Sequence, residues 1–165
     1  MTDHNKDSQL QIRVSPKQKA MIASAAKRAG MTMSAWLLAR ALPAPKLRFQ
    51  QLLDALRKDE HDRHCYAELN DLLTALSPAM FTDVVAEKTV NQLSSFGQNY
   101  ITAMIELAAV KKHVAPPAWS AEIKPLATPY FATSLKSLRL HLLTHSPPVF
   151  RRRNIFIDAT LGDRV

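Results

Sequence analysis

At 165 residues with 47% hydrophobic residues, the chain has room for one or two small domains and enough apolar material for a folded core, which excludes wholesale disorder. Its formal net charge of +8 favours a polyanionic partner, and a lone cysteine, Cys65, excludes an internal disulfide framework. No apolar run reaches membrane-spanning length and no basic-then-apolar signal opens the chain, so a cytoplasmic protein without membrane contact is expected.

The first predicted element is a strand over 9–14, where Gln9, Gln11 and Arg13 alternate with Leu10, Ile12 and Val14. Period two puts the amides and the guanidinium on one face and the aliphatic side chains on the other. Ser15, Pro16 and Gln18 then read as an N-cap, a first-turn proline and the reciprocal partner of a capping box, so a helix begins at Pro16. Ile22, Ala25, Ala26 and Ala29 give it an apolar stripe opposite Lys17, Ser24 and Lys27, with Arg28 at the edge. Gly30 ends it in a left-handed turn, and Thr32 caps a second helix that Met31 and Trp36 are spaced to staple. From Met33 to Leu42 only Ser34 and Arg40 are polar, so one copy of this segment cannot bury its own surface.

Residues Leu10 to Leu42, with the turn Gly30-Met31-Thr32-Met33-Ser34, resemble the ribbon-helix-helix family of dimeric DNA-binding regulators. The resemblance implies a homodimer whose paired strands enter the major groove of double-stranded DNA. Gln9, Gln11 and Arg13 would then face bases, where glutamine suits adenine and arginine suits guanine. Thr32, Met33 and Ser34 would open a helix whose positive end holds a phosphate. Without the resemblance, the same residues read as a plain strand and helical hairpin within a larger fold.

Pro43-Ala44-Pro45 marks a hinge, closing a module over 1–44. Phe49, Leu52, Leu53 and Leu56 form the next helical stripe, and Tyr66, Leu69, Leu72, Leu73 and Leu76 another, separated by the charged stretch Lys58 to His64. Ser77-Pro78 starts a short segment, and a long helix is expected over 92–112 with Leu93, Phe96, Tyr100, Met104 and Leu107 on its apolar face. These elements make a helical domain over 45–112. Six of the ten prolines lie between Pro116 and Pro148, and only Ser134 to His145 reads as helix there. Residues 113–165 are therefore expected to form a Pro-rich extension. It either straps the chain's own domain or lies over a partner, with Trp119, Tyr130, Phe131, Phe150 and Phe156 filling pockets and Arg151, Arg152 and Arg153 gripping phosphate or an acidic cleft. The fold class expected is mainly α, with one strand in the N-terminal module.

His61, His64 and Cys65, and His141 with His145 one turn apart, are incomplete as metal sets. No phosphate loop or nucleophile elbow is present, and neither an enzyme nor a cofactor is expected. Among ribbon-helix-helix proteins, a long extension after the module resembles a type II antitoxin. That resemblance implies operator binding plus neutralisation of a cognate toxin by the C-terminal region. The arginine-bearing tail suits the cleft of a nucleotidyltransferase-type toxin, with an acetyltransferase toxin as the other candidate. A plasmid-mobilisation accessory protein, whose helices contact a relaxase, and a free-standing transcriptional repressor are the alternatives.

Overall fold

The computed structural model describes residues 11–41 and 44–158, so Gln9, Leu10, the hinge residue Pro43 and the last seven residues lie outside the described part. The chain divides into two compact units between Pro43 and Ala44.

The first unit holds α1 (Pro16–Arg28) and α2 (Met33–Ala41), packed on each other. The Ser15 hydroxyl accepts from the Gln18 N–H at 3.3 Å while the Gln18 side chain accepts from the Ser15 N–H at 2.9 Å, a complete capping box that satisfies both orphan donors. At the other end Gly30 has φ +65°, with Met31 N–H bonded to Ala26 O at 3.0 Å and Gly30 N–H to Lys27 O at 3.1 Å. That pair of bonds closes the helix in a Schellman turn, which an L side chain at residue 30 would strain.

Of the strand expected over 9–14, Gln9 and Leu10 lie outside the described residues, and residues 11–14 are in no strand. Residues 11–15 are in neither helix nor strand, and all are exposed. The physical reason is that a ladder needs a second backbone to pair with, and none is supplied within the described part of this unit.

The second unit is built from α3 (Ala44–Lys58), α4 (Arg63–Ala75), α5 (Pro78–Val84) and α6 (Ser95–Lys111), followed by a 3-10 turn over Ala118–Glu122, β1 (Tyr130–Phe131), α7 (Lys136–His145), α8 (Pro148–Arg151) and β2 (Ile155–Phe156). The two strands pair in parallel, Tyr130 with Ile155 and Phe131 with Phe156. Helix α3 packs on α4 and α5, and α6 packs on α4 and α8. All four residues of the α3 stripe are buried, as are Leu69, Leu73 and Leu76 from α4 and its end. The long helix begins later than expected because the Ser94 hydroxyl accepts from the Phe96 and Gly97 N–H groups at 3.1 and 3.2 Å.

The apolar face of α6 also differs from expectation. Leu93 and Met104 of the expected face are buried and Phe96, Tyr100 and Leu107 half-buried, but Ile101, Ala103, Ile105 and Ala109, outside it, are fully buried as well. A helix surrounded on most sides buries small and branched residues all round, so a single stripe captures only part of its buried surface.

Residues 113–158 do not form a separate extension. Trp119, Ile123, Val149, Phe150, Ile155 and Ile157 belong to the same core as α3 to α6. The Trp119 indole N–H donates to Val85 O at 2.9 Å, fastening the 3-10 turn to the end of α5. Arg153 carries the larger tie. Its guanidinium meets Glu106 with Nη2 to Oε1 at 2.5 Å and Nε to Oε2 at 3.2 Å, and donates to Ser120 O at 2.9 Å and to Asn99 Oδ1 and Ile123 O at 3.4 Å. The two side chains are 6% and 12% exposed.

Truncating one partner of such a pair strands the other charge in low dielectric. Arg153→Ala is expected to destabilise the protein by about 3–5 kcal/mol in urea unfolding. Arg152→Ala, at an exposed neighbour, is expected to stay within about 0.5 kcal/mol. Equal effects at the two positions would show that the Glu106 pair does not hold the C-terminal segment.

Candidate nucleic-acid interface

The extended segment 11–15 and the start of α2 carry the residues singled out for DNA contact. Gln11 and Arg13 are exposed, and Ile12 and Val14 alternate with them at 54% and 41% exposure. Paired as a strand, this alternation would put the two polar side chains on the face away from the two aliphatic ones. Gln9 lies outside the described residues. Thr32, Met33 and Ser34 are exposed at the mouth of α2. The Thr32 hydroxyl accepts from the Ala35 N–H at 3.2 Å, which fixes the first turn and leaves the earlier N–H groups facing outward with the positive end of the helix.

Charge sharpens this picture. Residues 11–41 contain six Lys and Arg side chains and no Asp or Glu, and the next acidic residue is Asp54. No ion pair can form among residues 11–41 themselves, whose charged side chains are all basic. The second unit contrasts with this, because Lys46–Glu87, Lys88–Glu122 and Arg153–Glu106 are paired there.

An open hollow of about 480 Å³ lies between the extended segment and the helices, lined mainly by Val14, Met21, Ile22, Ala25 and Trp36. Ile22 and Ala25 of the α1 stripe line it, whereas Ala26 is buried.

The residues expected to meet a protein partner are not gathered on one surface. Trp119, Phe150 and Arg153 are 7%, 2% and 5% exposed and are spent inside their own unit, so they correct that expectation. Burial follows from the tail folding back, where the apolar and hydrogen-bonding demands of these side chains are met internally. Arg151, Arg152 and Tyr130 stay exposed. Phe131 and Phe156 stack on each other with centroids 4.8 Å apart, and the Arg139 guanidinium lies 5.1 Å from the Phe131 ring.

Among the described residues, no group of three or more His, Cys, Asp or Glu is placed to hold a metal ion. His141 and His145 stack at 3.9 Å, with His145 Nδ1 against His141 O at 3.0 Å. The Cys65 thiol donates to Asp62 Oδ2 at 3.1 Å. Loss of solvent around the sulfur, and then the Asp62 carboxylate, push the Cys65 thiol up to about 11. Sequence reasoning missed one cluster, the rings of Tyr66, Phe96, Tyr100, Tyr130 and Phe150, which come from four separate elements. Its one local signal was Phe96 and Tyr100 a single turn apart.

The described fold is thus a mainly helical protein with a small, basic, two-helix N-terminal module. Residues 4–71 match the model of the NikA-like family, described as Mobilization protein NikA. The match takes in the module, α3 and most of α4, well under half of the chain. No curated protein and no solved structure matches it. Among the described residues, no helix is long and apolar enough to cross a membrane.

Cys65 is expected to react with iodoacetamide slowly at pH 8, its rate reaching half-maximum only near pH 11. Asp62→Ala should bring that midpoint down. A midpoint below 9 in the unaltered protein would refute the burial and Asp62 account.

Proposed function

We propose that the chain is a DNA-binding accessory protein of plasmid mobilisation, a ribbon-helix-helix homodimer acting on double-stranded DNA. The observation that carries this reading is the match of residues 4–71 to the mobilization-protein family, which takes in the stretch 11–41 with its six basic and no acidic side chains. In this reading the two copies pair their extended segments antiparallel. Ile12, Val14 and the α1 hollow gain cover, and the apolar α2 is buried against its twin. The face bearing Gln9, Gln11 and Arg13 then enters the major groove, and Thr32, Met33 and Ser34 hold a phosphate of the backbone. The second unit contacts another protein of the mobilisation apparatus, a relaxase being the natural partner. No catalytic step and no cofactor is assigned to the chain, and its working compartment is the cytoplasm.

The antitoxin reading has less support. The family match speaks of mobilisation, and three of the residues expected to seize a toxin are committed to the domain's own core.

The test is binding to DNA of the plasmid that carries the gene, against random duplex at several salt concentrations. Specific binding by a dimer is expected, with a steep loss of affinity as salt rises. Arg13→Ala should lower discrimination at one base pair of each half-site by about 1–3 kcal/mol. A variant that still separates specific from random DNA as well as the parent would show that the ribbon does not read the site. In the cell, loss of the gene should reduce transfer of the plasmid, and growth arrest by a neighbouring gene product would point back to a toxin.

A further inference from the structure

The five aromatic rings missed by sequence reasoning form one chain of contacts in the second unit, edge to face at Tyr66–Tyr100 and Tyr100–Phe150 and tilted at the two Phe96 contacts. Tyr66 meets Tyr100 at 4.8 Å between centroids, Tyr100 meets Phe96 at 5.5 Å and Phe150 at 5.4 Å, and Phe96 meets Tyr130 at 4.5 Å. They line a groove of about 720 Å³, within the range of sites that enclose a small ligand or a few side chains. Glu60 and Asp158 line the same groove. Glu60 is fixed there, its Oε1 accepting from the Gly97 N–H at 2.7 Å and from the Ser94 hydroxyl. The Tyr66 hydroxyl is buried and has no hydrogen-bond partner, a deficit that a native fold rarely leaves unmet.

Each feature asks for the same chemistry. Ring faces attract a cation, the fixed Glu60 carboxylate attracts a cation, and a phenol oxygen accepts an N–H. Burial pushes the Tyr66 and Tyr100 phenols up, so both stay neutral and keep their acceptor lone pairs. A phosphate or a nucleic acid would meet the Glu60 carboxylate here, whereas residues 11–41 carry no acidic side chain.

We propose that the groove binds a single lysine or arginine side chain presented by an extended segment of a partner protein. The volume exceeds what one cationic head needs, leaving room for the residues flanking it. His61 and Arg63 also line the groove, and the Arg63 charge disfavours a run of basic residues in the occupant. The inference is independent of the DNA reading, since it uses no residue of the N-terminal module.

The full chain is titrated with acetyl-Ala-Arg-Ala-amide, acetyl-Ala-Lys-Ala-amide and acetyl-Ala-Gln-Ala-amide, following tyrosine resonances by NMR. One of the two basic peptides is expected to bind at least about tenfold tighter than the Gln peptide, shifting Tyr66, Tyr100 and Tyr130. Glu60→Gln, which keeps the acceptor to Gly97, should weaken that binding about tenfold. Tyr130→Leu, at an exposed ring, should weaken it with circular dichroism unchanged. DNA binding should be the same in all three proteins. Equal affinity for the Gln peptide, no binding of either basic peptide, or tyrosine shifts with a single-stranded oligonucleotide would each overturn the proposal.

Discussion

The second unit depends on one buried ion pair, Arg153 with Glu106. A guanidinium taken from water costs several kcal/mol unless its donors are met, and here α6, the 3-10 turn and the chain just beyond it all supply acceptors. Asn99 extends the web by donating to Lys124 O at 3.0 Å and to Ser95 O at 2.9 Å. The consequence runs outward from there. With Arg153 held, Asn154 takes the left-handed conformation at φ 62°, and its backbone carbonyl accepts from Tyr130 N–H at 3.0 Å. The two-residue parallel pairing of β1 and β2 follows, and with it the placing of Tyr130 beside Phe96. A pair of this kind is valuable less for its net energy than for admitting one arrangement of the tail.

The N-terminal module is governed by the opposite condition. Among its described residues only Ala26 is buried, and Met21, Met33 and Leu38 remain 64%, 38% and 43% exposed. Local signals specify both ends of α1 and the start of α2, yet they cannot supply a core. A segment this short gains stability when a partner surface covers its apolar helix, which is what the proposed pairing of two copies supplies.

Legibility in the sequence tracked the range of the forces involved. The capping box at Ser15, the Gly30 turn and the stripes of α3 and α4 rest on neighbours within four residues, and each could be read directly. The fates of Arg151, Arg152 and Arg153 could not. Three identical neighbours differ in burial because the chain turns at α8, which sends the third towards Glu106, 47 residues away in sequence. Trp119 is similar, its indole settled by Val85, 34 positions earlier. The aromatic groove was illegible for the same reason, since α4, α6, β1 and α8 each contribute only part of it. His113, at φ 56°, closes α6 in a turn that composition gave no reason to place there.

This geometry bears on what the C-terminal third can do. A segment that wraps a partner must be free of its own domain, or release itself at a cost. Here Trp119, Phe150, Ile155 and Ile157 are all in the core, and exposing each such side chain costs about 1.5–3 kcal/mol. Peeling the tail away would in addition leave Glu106 buried and unpaired. A partner would have to repay that sum before gaining any affinity, and area alone seldom leaves such a surplus. The segment is therefore better suited to shaping a fixed surface than to embracing another protein. Recognition by this unit then falls to what the strap leaves open, in particular the groove whose rim it completes with Tyr130, Ile157 and Asp158.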